Sequence, residues 1–538
     1  MARKMNAGVA LSAAVLSVLF SSTAISATPD AFPAPQSDRS TWYKAGRTAI
    51  LNAKAQPVNA RRAKNVILFI GDGMGVSTVT AARILAGQQP GIINPAITRA
   101  GSSGEENYLS FEKFPNLAHS KTYSVNQQTS DSAPTMTAMV TGIKTNDGEL
   151  SVAEEFVRGS TATDCNKDPK PYELTTILEL AEDAKKSTGV VSTARITHAT
   201  PAANYAHTTN RDWEADSNQP AAGCVIKDIA SQLVDFKHGD GIDVILGGGR
   251  SYFMKTDQLD PEYGKAGKRK DGRDLIAEWT TKTAGNYVWN KGQFDAIDPA
   301  STSKLFGLFE NSHMQYEADR NNTADKGEPN LADMTEKAIH ILKKNPKGFY
   351  LQVEGGRIDH GHHAGNAYRA LTDTIAMSDA VQRTMDVLKA NKMLDDTLII
   401  VSADHSHTFT IAGYPQRGNN ILGKVIEPGK TTPTVAADSW VYTTLGYANG
   451  GGFAVGQPAD AYTGPANTGR SAANDLANVD TTDKDFHQQA LVNTGVGAET
   501  HAGEDVAIYA MGPWAHLVRG TQEQNYIFHV MYTAFGFR

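Results

Sequence analysis

A single serine stands at the start of the short apolar run in TSDSAPTMTAMVTG, residues 129–142. Ser132 follows Asp131 and precedes Pro134, which is a pattern typical of the first turn of a helix. A serine there usually caps the first free backbone amides of the helix. The same amides and the helix dipole also favour an anion, either an ionised serine oxygen or a phosphate. Ser132 is therefore both a candidate cap and a candidate nucleophile.

Acidic and imidazole side chains follow two apolar runs of the chain. Asp72 lies in the turn GDGMG after NVILFI, and FYLQVE leads into EGGRIDHGHH, which contains Glu354, Asp359, His360 and His363. If a helix begins just after the glycines, Asp359 and His363 are four residues apart on one face, a spacing that suits two ligands of one metal ion. Ionisable groups beside a buried strand need a counter-charge, and a divalent cation supplies it.

Two further segments carry the same residue types. Asp404 and His405 are adjacent at the end of TLIIVSADH, so both can reach one ion only where the strand has ended. His501 lies in ETHAGEDVAIYA, before another apolar run. Carboxylates and imidazoles without thiolates suit zinc, and an all-oxygen corner suits magnesium. The ligands are numerous enough for more than one ion, and paired metals suit phosphoryl transfer.

Phosphoryl transfer also needs a planar cation for the non-bridging phosphate oxygens. The stretch ARITHATPAANYAHTTNRDW offers Arg195 and Arg211 for this role. Their spacing alone does not choose between them.

Buried strands and helices must bring these residues together. The nearly continuous apolar runs suit strands of a mainly parallel sheet that is covered on both faces. Helical patterns lie between them, as in ELTTILELAEDAKK and LADMTEKAIHILKK. We therefore expect an α/β three-layer sandwich with its site at the carboxyl ends of the strands. The predicted strands are NVILFIGDG at 65–73, GVVST at 189–193, DVILGGG at 243–249, FYLQVEGG at 349–356, TLIIVSAD at 397–404 and DVAIYAMG at 505–512.

The 538 residues divide into a signal peptide at 1–27 and one α/β domain at 28–538. The first segment has basic residues, then a short apolar run, then small residues, which is the pattern of a secretory signal. Segments 252–328 and 411–490 are polar or weakly periodic, and we expect both to be insertions into the single core. The formal net charge of −7 argues against a nucleic-acid partner. In an oxidising compartment Cys165 and Cys224 are expected to form a disulfide.

Several long motifs resemble those of the alkaline phosphatase family over nearly the whole chain after residue 27. They are VILFIGDGMG, TSDSAPTMTAM, HATPAANYAHTTNR, VEGGRIDHGHH, SADHSH, ETHAGEDVAIYA and GPWAHLVRGTQEQNYI. The resemblance implies an exported, metal-dependent phosphomonoesterase that acts on a broad range of phosphate monoesters at alkaline pH. It also implies a homodimer, in which segment 411–490 takes the place of the crown of the animal-type enzymes.

The resemblance assigns a role to each candidate residue. Ser132 is implied as the nucleophile that becomes a phosphoserine, and Arg211 as the phosphate clamp, which leaves Arg195 a structural role. Asp131 either orients Arg211 or caps the helix. Two zinc ions and one magnesium ion are implied. Their ligands would be Asp359, His363 and His501 for one zinc, Asp72, Asp404 and His405 for the other, and Asp72, Thr200 and Glu354 for the magnesium.

The chain departs from the enterobacterial pattern at two positions and matches the animal-type enzymes there. His198 stands where the enterobacterial form has an aspartate near the magnesium, and His360 where it has a lysine near the phosphate. Because an acidic neighbour helps to hold a hard cation, its loss should weaken the magnesium site.

The C-terminal sequence bears on localisation, and two other functions compete with the leading one. The chain ends at TAFGFR without a lipid-anchor signal, so we expect a periplasmic or extracellular product without a membrane anchor. A phosphodiesterase or sulfatase on the same core is an alternative, although Ser132 lacks the downstream arginine of the C/S-x-P-x-R sulfatase motif. A non-enzymatic phosphate-binding protein is a second alternative, and it would bind phosphate without turnover.

Overall fold

The computed structural model describes residues 41–94, 100–437, 439–451, 475–493 and 498–537. The chain divides at Pro57 into two compact units. The described part of the first unit contains helix α1, and the second contains the remaining elements. The predicted signal peptide at 1–27 lies outside the described residues.

The helices alternate with strands along the second unit, as the sequence pattern predicts. The α-helices of the described residues are α1 (Thr41–Lys54), α2 (Val76–Gln88), α3 (Ser132–Thr141), α4 (Ala162–Cys165), α5 (Ile177–Asp183), α6 (Ala199–Ala202), α7 (Ile229–Asp235), α8 (Leu275–Thr283), α9 (Lys291–Ala296), α10 (Leu331–Leu342), α11 (Arg357–His363), α12 (Ala367–Ala390) and α13 (Tyr526–Phe535).

The strands form one large sheet and two small ones. They are β1 (Asn65–Gly71), β2 (Asn116–Lys121), β3 (Ser187–Arg195), β4 (Val244–Gly248), β5 (Asn286–Val288), β6 (Leu305–Leu308), β7 (Phe349–Gly355), β8 (Thr397–Ala403), β9 (Ser406–His407), β10 (Phe409–Ile411), β11 (Leu445–Gly450), β12 (Ala490–Asn493), β13 (His501–Ala502), β14 (Val506–Met511) and β15 (Gly520–Glu523).

The large sheet has ten strands in the order β15-β2-β14-β8-β1-β7-β3-β4-β6-β5. Parallel pairing joins each strand to the next in the series β8, β1, β7, β3, β4, β6 and β5. Strand β14 runs antiparallel to β8 and to β2. All six predicted strands are confirmed, and they become β1, β3, β4, β7, β8 and β14. The predicted α/β class is confirmed as well.

Helices cover both faces of this sheet. Successive side chains of a strand point to opposite faces, so each face of an apolar strand needs a cover. In β1, Ile67 and Phe69 join one buried cluster with side chains of α2, α10 and α12. Val66, Leu68 and Ile70 join the other cluster with side chains of α3, α5, α7, α8 and α13. The second unit is therefore a three-layer sandwich in which the central strands are buried on both sides.

Segment 252–328 is more regular than the predicted loop-like insertion. It contains α8, β5, α9 and β6, and the two strands complete one edge of the large sheet. These strands have only three and four residues, so they leave little apolar pattern to read. In segment 411–490, the described residues include β11, which pairs with β10 and β12 in a small sheet, while residues 438 and 452–474 lie outside the described part.

The register of the central strands brings their carboxyl ends side by side. Gly71 at the end of β1 lies opposite Gly355 at the end of β7 and opposite Ala403 at the end of β8. The residues that follow these three ends therefore emerge at one place on the sheet edge. This is the position where α/β folds hold their ligands.

The two cysteines form the expected disulfide. Cys165 and Cys224 are 59 residues apart in sequence, and their Cα atoms are 5.3 Å apart. Cys165 is buried in a small cluster with Val152, Phe156 and Trp213. The segment that the disulfide closes contains β3 and α6, and therefore several of the candidate site residues.

We predict that replacing both cysteines with alanine lowers the free energy of unfolding by about 4 kcal/mol, since a closed loop of this length restricts the unfolded chain. Guanidinium unfolding of the wild type and the double variant, followed by circular dichroism, measures the difference. As a control, a thiol reductant should destabilise the wild type and leave the double variant unaffected. An equal response of both proteins to the reductant would contradict the prediction.

Candidate active site

Ser132 is the first residue of α3, so it lies one position after the N-cap residue. The N-cap position is taken by Asp131, whose side chain makes no capping hydrogen bond. The Ser132 hydroxyl is buried and lies 3.3 Å from Asp72 Oδ1 and 3.2 Å from His405 Nε2. The serine therefore faces a carboxylate and an imidazole at the amino end of a helix.

The first cluster of candidate ligands joins the ends of β1 and β8. His405 Nε2 lies 3.4 Å from Asp72 Oδ1 and 3.4 Å from Asp404 Oδ2. Asp404 and His405 reach the same place because β8 ends at Ala403, just before them. The turn after β1 needs Gly73, which has φ of 66° and where a Cβ would lie 2.3 Å from the His407 ring.

The second cluster lies on α11 and β13. Asp359 and His363 face the same side of α11, and Asp359 Oδ1 is 3.3 Å from His363 Nε2. His501 Nε2 lies 3.3 Å from the same carboxylate oxygen and 3.0 Å from His363 Nε2. The four-residue spacing thus places two ligands together, and the pairing of β13 with β9 supplies the third.

A third cluster lies beside Asp72, on the side of β7 and α6. Ligand atoms of Asp72, His198 and Glu354 all lie within 4.8 Å of one another. Thr200 belongs to the short helix α6, which starts directly after His198. The Ser192 hydroxyl donates a hydrogen bond to Glu354.

These carboxylates are under strong mutual repulsion. Burial raises the pKa of Asp72 well above its usual value, and the charges of Asp404, Asp359 and Glu354 raise it further. Burial likewise raises the pKa of Glu354 to about 7, with Asp404 adding to the shift. A group of this kind either binds protons or binds cations, because its charges cannot remain buried together uncompensated.

Several buried polar atoms of the site lack a hydrogen-bond partner among the residues that the structure describes. Within the described part of the chain, Asp404 Oδ2, Glu354 Oε1, Thr200 Oγ1 and His198 Nδ1 are buried and have no hydrogen-bond partner. They belong to the first and third clusters. Carboxylate and hydroxyl oxygens are donors that zinc and magnesium use, so these oxygen atoms fit metal ions. His198 Nδ1 differs from them, because a neutral ring that accepts from Arg211 at Nε2 carries its proton on Nδ1.

Of the two candidate arginines, Arg211 lies beside the serine. Its guanidinium Nη1 donates to Asp131, and its Nη2 lies 2.8 Å from His198 Nε2. Burial would raise the pKa of Asp131, but the charges of Arg211, His501 and His405 and a backbone hydrogen bond together outweigh burial and lower it. Arg195 is instead held by two hydrogen bonds to Glu214, of 2.8 and 2.7 Å.

His360 lies on α11 at the edge of the site. Its Nδ1 is 3.0 Å from Arg357 Nη1, and its ring centroid is 5.6 Å from that of His198. The structure therefore brings all the predicted site residues into one region at the carboxyl ends of the strands.

Sequence reasoning missed two buried residues that support the second cluster. His407 Nε2 donates to Asp359 Oδ1 at 2.8 Å, and His407 Nδ1 donates to Glu499 Oε2 at 2.6 Å. Burial would lower the pKa of His407, but Glu499 and Asp359 outweigh it and raise that pKa to about 10. A signal was present, since His407 and Glu499 each lie two residues from a predicted ligand and extended chain places such residues on one face.

This chain is similar in sequence and in fold to known alkaline phosphatases. Residues 63–537 match the family model of alkaline phosphatase. The tissue-nonspecific alkaline phosphatase of Rattus norvegicus is 43% identical over 513 residues, which cover 93% of this chain and 89% of that protein. The alkaline phosphatase of Gadus morhua is 42% identical over 512 residues, which cover 93% and 98%. The crystal structure of Thermus thermophilus alkaline phosphatase has a TM-score of 0.60 at 22% identity, covers 90% of this chain and 94% of that chain, and shows likeness of fold alone.

We predict that Glu499→Gln weakens metal retention by about 10- to 100-fold, as the loss of a partner behind a metal ligand commonly does. The substitution replaces the acceptor of His407 and so loosens Asp359. Metal content is measured by elemental analysis after dialysis against increasing concentrations of a chelator. The exposed Glu504→Gln is the matched control and should retain metal like the wild type. Equal retention by all three proteins would show that Glu499 has no such role.

Proposed function

This chain belongs to the alkaline phosphatase family and is a phosphoric monoester hydrolase, and we propose that it works through a covalent phosphoserine on Ser132 and a two-zinc site. The observation that carries the proposal is the position of the Ser132 hydroxyl, which faces Asp72 and His405 and has Arg211 beside its helix. We propose a broad range of phosphate monoesters as substrates, at alkaline pH.

Three cation sites are part of the proposal. Asp359, His363 and His501 would hold one zinc ion, and Asp72, Asp404 and His405 would hold the other. Asp72, Thr200 and Glu354 would hold magnesium, with His198 at its margin. When bound, these cations lower the pKa of nearby oxygen acids and offset negative charge on the attacking and leaving oxygens.

The protein groups account for binding and for the covalent step. The guanidinium of Arg211 holds two non-bridging phosphate oxygens, and Asp131 keeps that guanidinium beside Ser132. The free amides of the first turn of α3 favour the same negative charge. The Ser132 hydroxyl gives its proton to solvent, and its oxygen bonds to phosphorus while the bond from phosphorus to the alcohol oxygen breaks. The alcohol leaves with a proton from solvent.

Water completes the reaction. It attacks phosphorus, the bond to the Ser132 oxygen breaks, and inorganic phosphate leaves while the serine regains its proton. Uncatalysed hydrolysis of phosphate monoesters is so slow that catalysis has to stabilise the transition state by roughly 20 kcal/mol or more. One side chain does not supply this amount, which is why the proposal joins Ser132 and Arg211 to the cation sites.

The cellular setting is proposed on the same basis. We propose export through the signal peptide at 1–27 to the periplasm or the extracellular space, and assembly as a homodimer. Among the described residues, none of the helices combines the length and the apolar character needed to cross a bilayer. No nucleic-acid partner is proposed, because the net charge is negative.

We predict that Ser132→Ala lowers kcat by at least about a thousandfold, since a nucleophile that forms a covalent intermediate is removed. Hydrolysis of a chromogenic phosphate monoester is followed at alkaline pH with zinc and magnesium. Ser120→Ala, at a buried serine of β2, is the matched control and should keep wild-type activity. Mass spectrometry after acid quench should find phosphate on residue 132 of the wild type. Turnover that a chelator leaves untouched, or no phosphate on that residue, would falsify the proposal.

We predict that Arg211→Lys lowers kcat/KM by about 10- to 100-fold, because an ammonium cannot form the paired hydrogen bonds of a guanidinium. Inorganic phosphate should also inhibit the variant less. Steady-state kinetics with and without phosphate measures both effects. Arg195→Lys is the comparison, and its activity loss should be smaller since Arg195 is engaged by Glu214. A larger loss in Arg195→Lys would reverse the assignment of the two arginines.

A further inference from the structure

A cleft lined by positive charge lies at the amino ends of the central strands, whereas the candidate active site lies at their carboxyl ends. Lys64 directly precedes β1, Lys186 directly precedes β3, and Lys347 lies two residues before β7. Strand β7 pairs with both β1 and β3, so the three strand starts lie side by side. Together with Arg62 and two alanines, these lysines line a cleft of about 420 Å³, which we call the basic cleft.

Backbone packing holds one of these cations in a fixed position. The Lys186 ammonium is buried and donates to the Lys64 carbonyl at 2.9 Å and to the Lys347 carbonyl at 2.7 Å. Gly348 has φ of 88°, and a Cβ there would lie 2.0 Å from the Lys64 carbonyl oxygen, so this close approach needs a glycine. Lys186 therefore ties the strand starts together and places a positive charge in the wall of the cleft.

The cations of the basic cleft have no carboxylate to offset them. Among the residues that the structure describes, none of the four forms an ion pair, and Arg62 donates from Nε to the Phe535 carbonyl. Lys64 and Lys347 are exposed. Burial lowers the pKa of Lys186 to about 8, with the charges of Arg62, Lys64 and Lys347 adding to the shift. The positive charges thus repel one another without compensation from the protein.

Other clefts of the described surface contain charges of both signs. A cleft of about 350 Å³ has three lysines among four carboxylates, and two of those lysines are paired, Lys227 with Asp235 and Lys170 with Glu173. The whole chain has 58 acidic and 51 basic residues. A lining without carboxylates therefore departs from the composition of the chain, and it leaves positive charge available to an anion from solution.

Size and charge define the class of anion. Sites for small molecules commonly have volumes of about 300 to 1,000 Å³. Two phosphate groups carry roughly three to four negative charges near neutral pH, which balance the four cations that line the cleft. Guanidinium and ammonium groups are both common partners of phosphate oxygens.

We propose that the basic cleft binds a small molecule with two phosphate groups. The Arg62 guanidinium and the Lys64 and Lys347 ammonium groups contact the phosphate oxygens, and Lys186 adds its charge from the wall. Because this site and Ser132 lie at opposite ends of the strands, its ligand leaves the entrance to Ser132 open.

An anionic membrane surface is the competing occupant. A flat surface reaches the exposed Lys64 and Lys347 but not Lys186, whose exposed fraction is 6%. The concave shape and the buried cation therefore favour a small ligand that enters the cleft.

The first test measures binding of trimethylene bisphosphonate, whose phosphorus–carbon bonds resist hydrolysis, by isothermal titration with zinc and magnesium present. Lys64→Ala/Lys347→Ala should weaken binding at the basic cleft by at least about tenfold, because two charge-assisted contacts are lost. Inhibition of chromogenic monoester hydrolysis by the same compound reports binding near Ser132, and this inhibition, kcat and KM should stay unchanged. Lys113→Ala/Lys326→Ala removes the same charge at two exposed lysines and is the matched control, which should bind like the wild type.

Equal binding by the wild type and Lys64→Ala/Lys347→Ala would overturn the inference. Equal losses in both double variants would overturn it as well, since they would show an effect of net charge alone. The result does not depend on the proposed function, which fails separately if the wild type does not hydrolyse the monoester.

A second measurement uses the wild type alone, in case Lys64→Ala/Lys347→Ala does not fold. An amine-acylating reagent labels exposed lysines, and mass spectrometry locates the label. Saturating bisphosphonate should remove most of the labelling of Lys64 and Lys347 and leave that of Lys113 and Lys326 unchanged. Equal labelling with and without bisphosphonate would contradict the inference, and protection by phosphatidylglycerol vesicles alone would identify a membrane surface instead.

Discussion

Repulsion among buried carboxylates is the constraint on which this site depends. Asp72, Asp404 and Glu354 follow or end adjacent parallel strands whose register places Gly71 opposite both Gly355 and Ala403. The fold thus forces their charges together in a place with little water. Burial and the neighbouring carboxylates raise the pKa of Asp72 well above its usual value. Positive charge bound beside the carboxylates would offset their repulsion and leave them ionised.

Positioning of the ligands relies on short connections from a rigid sheet. Asp72 comes directly after β1, and Asp404 directly after β8. The second cluster is joined to the first by the pairing of β9 with β13, which places the His405 and His501 rings in a stack with centroids 3.6 Å apart. Because these connections contain almost no free loop, the candidate ligand atoms would have little room to move apart if bound cations were removed.

Much of this arrangement could be predicted from the sequence because it depends on local periodicity. Apolar runs identify the central strands, the residue after each run marks the sheet edge, and the spacing of Asp359 and His363 identifies one face of α11. His407 and Glu499 were missed since their roles depend on contacts across 92 residues of sequence. Strand β2, NLAHSK, was also missed, since it alternates between buried and exposed positions and carries few apolar residues. The contacts of His313 were missed as well, because its neighbours Arg195 on β3 and His360 on α11 are distant from it along the chain.

The electrostatic balance of Arg211 shows what the histidine at position 198 changes. An aspartate there would share the positive charge of the guanidinium, whereas a neutral imidazole accepts a hydrogen bond and leaves the charge largely available. Burial holds the pKa of His198 well below its usual value, and the adjacent Arg211 lowers it further, so the ring is neutral beside the arginine. Asp131 is then the anion that contacts this guanidinium among the described residues. Under the proposed function, this neutrality would weaken the hold on a hard cation in the third cluster and strengthen the attraction of Arg211 for phosphate, so both effects would follow from one side chain.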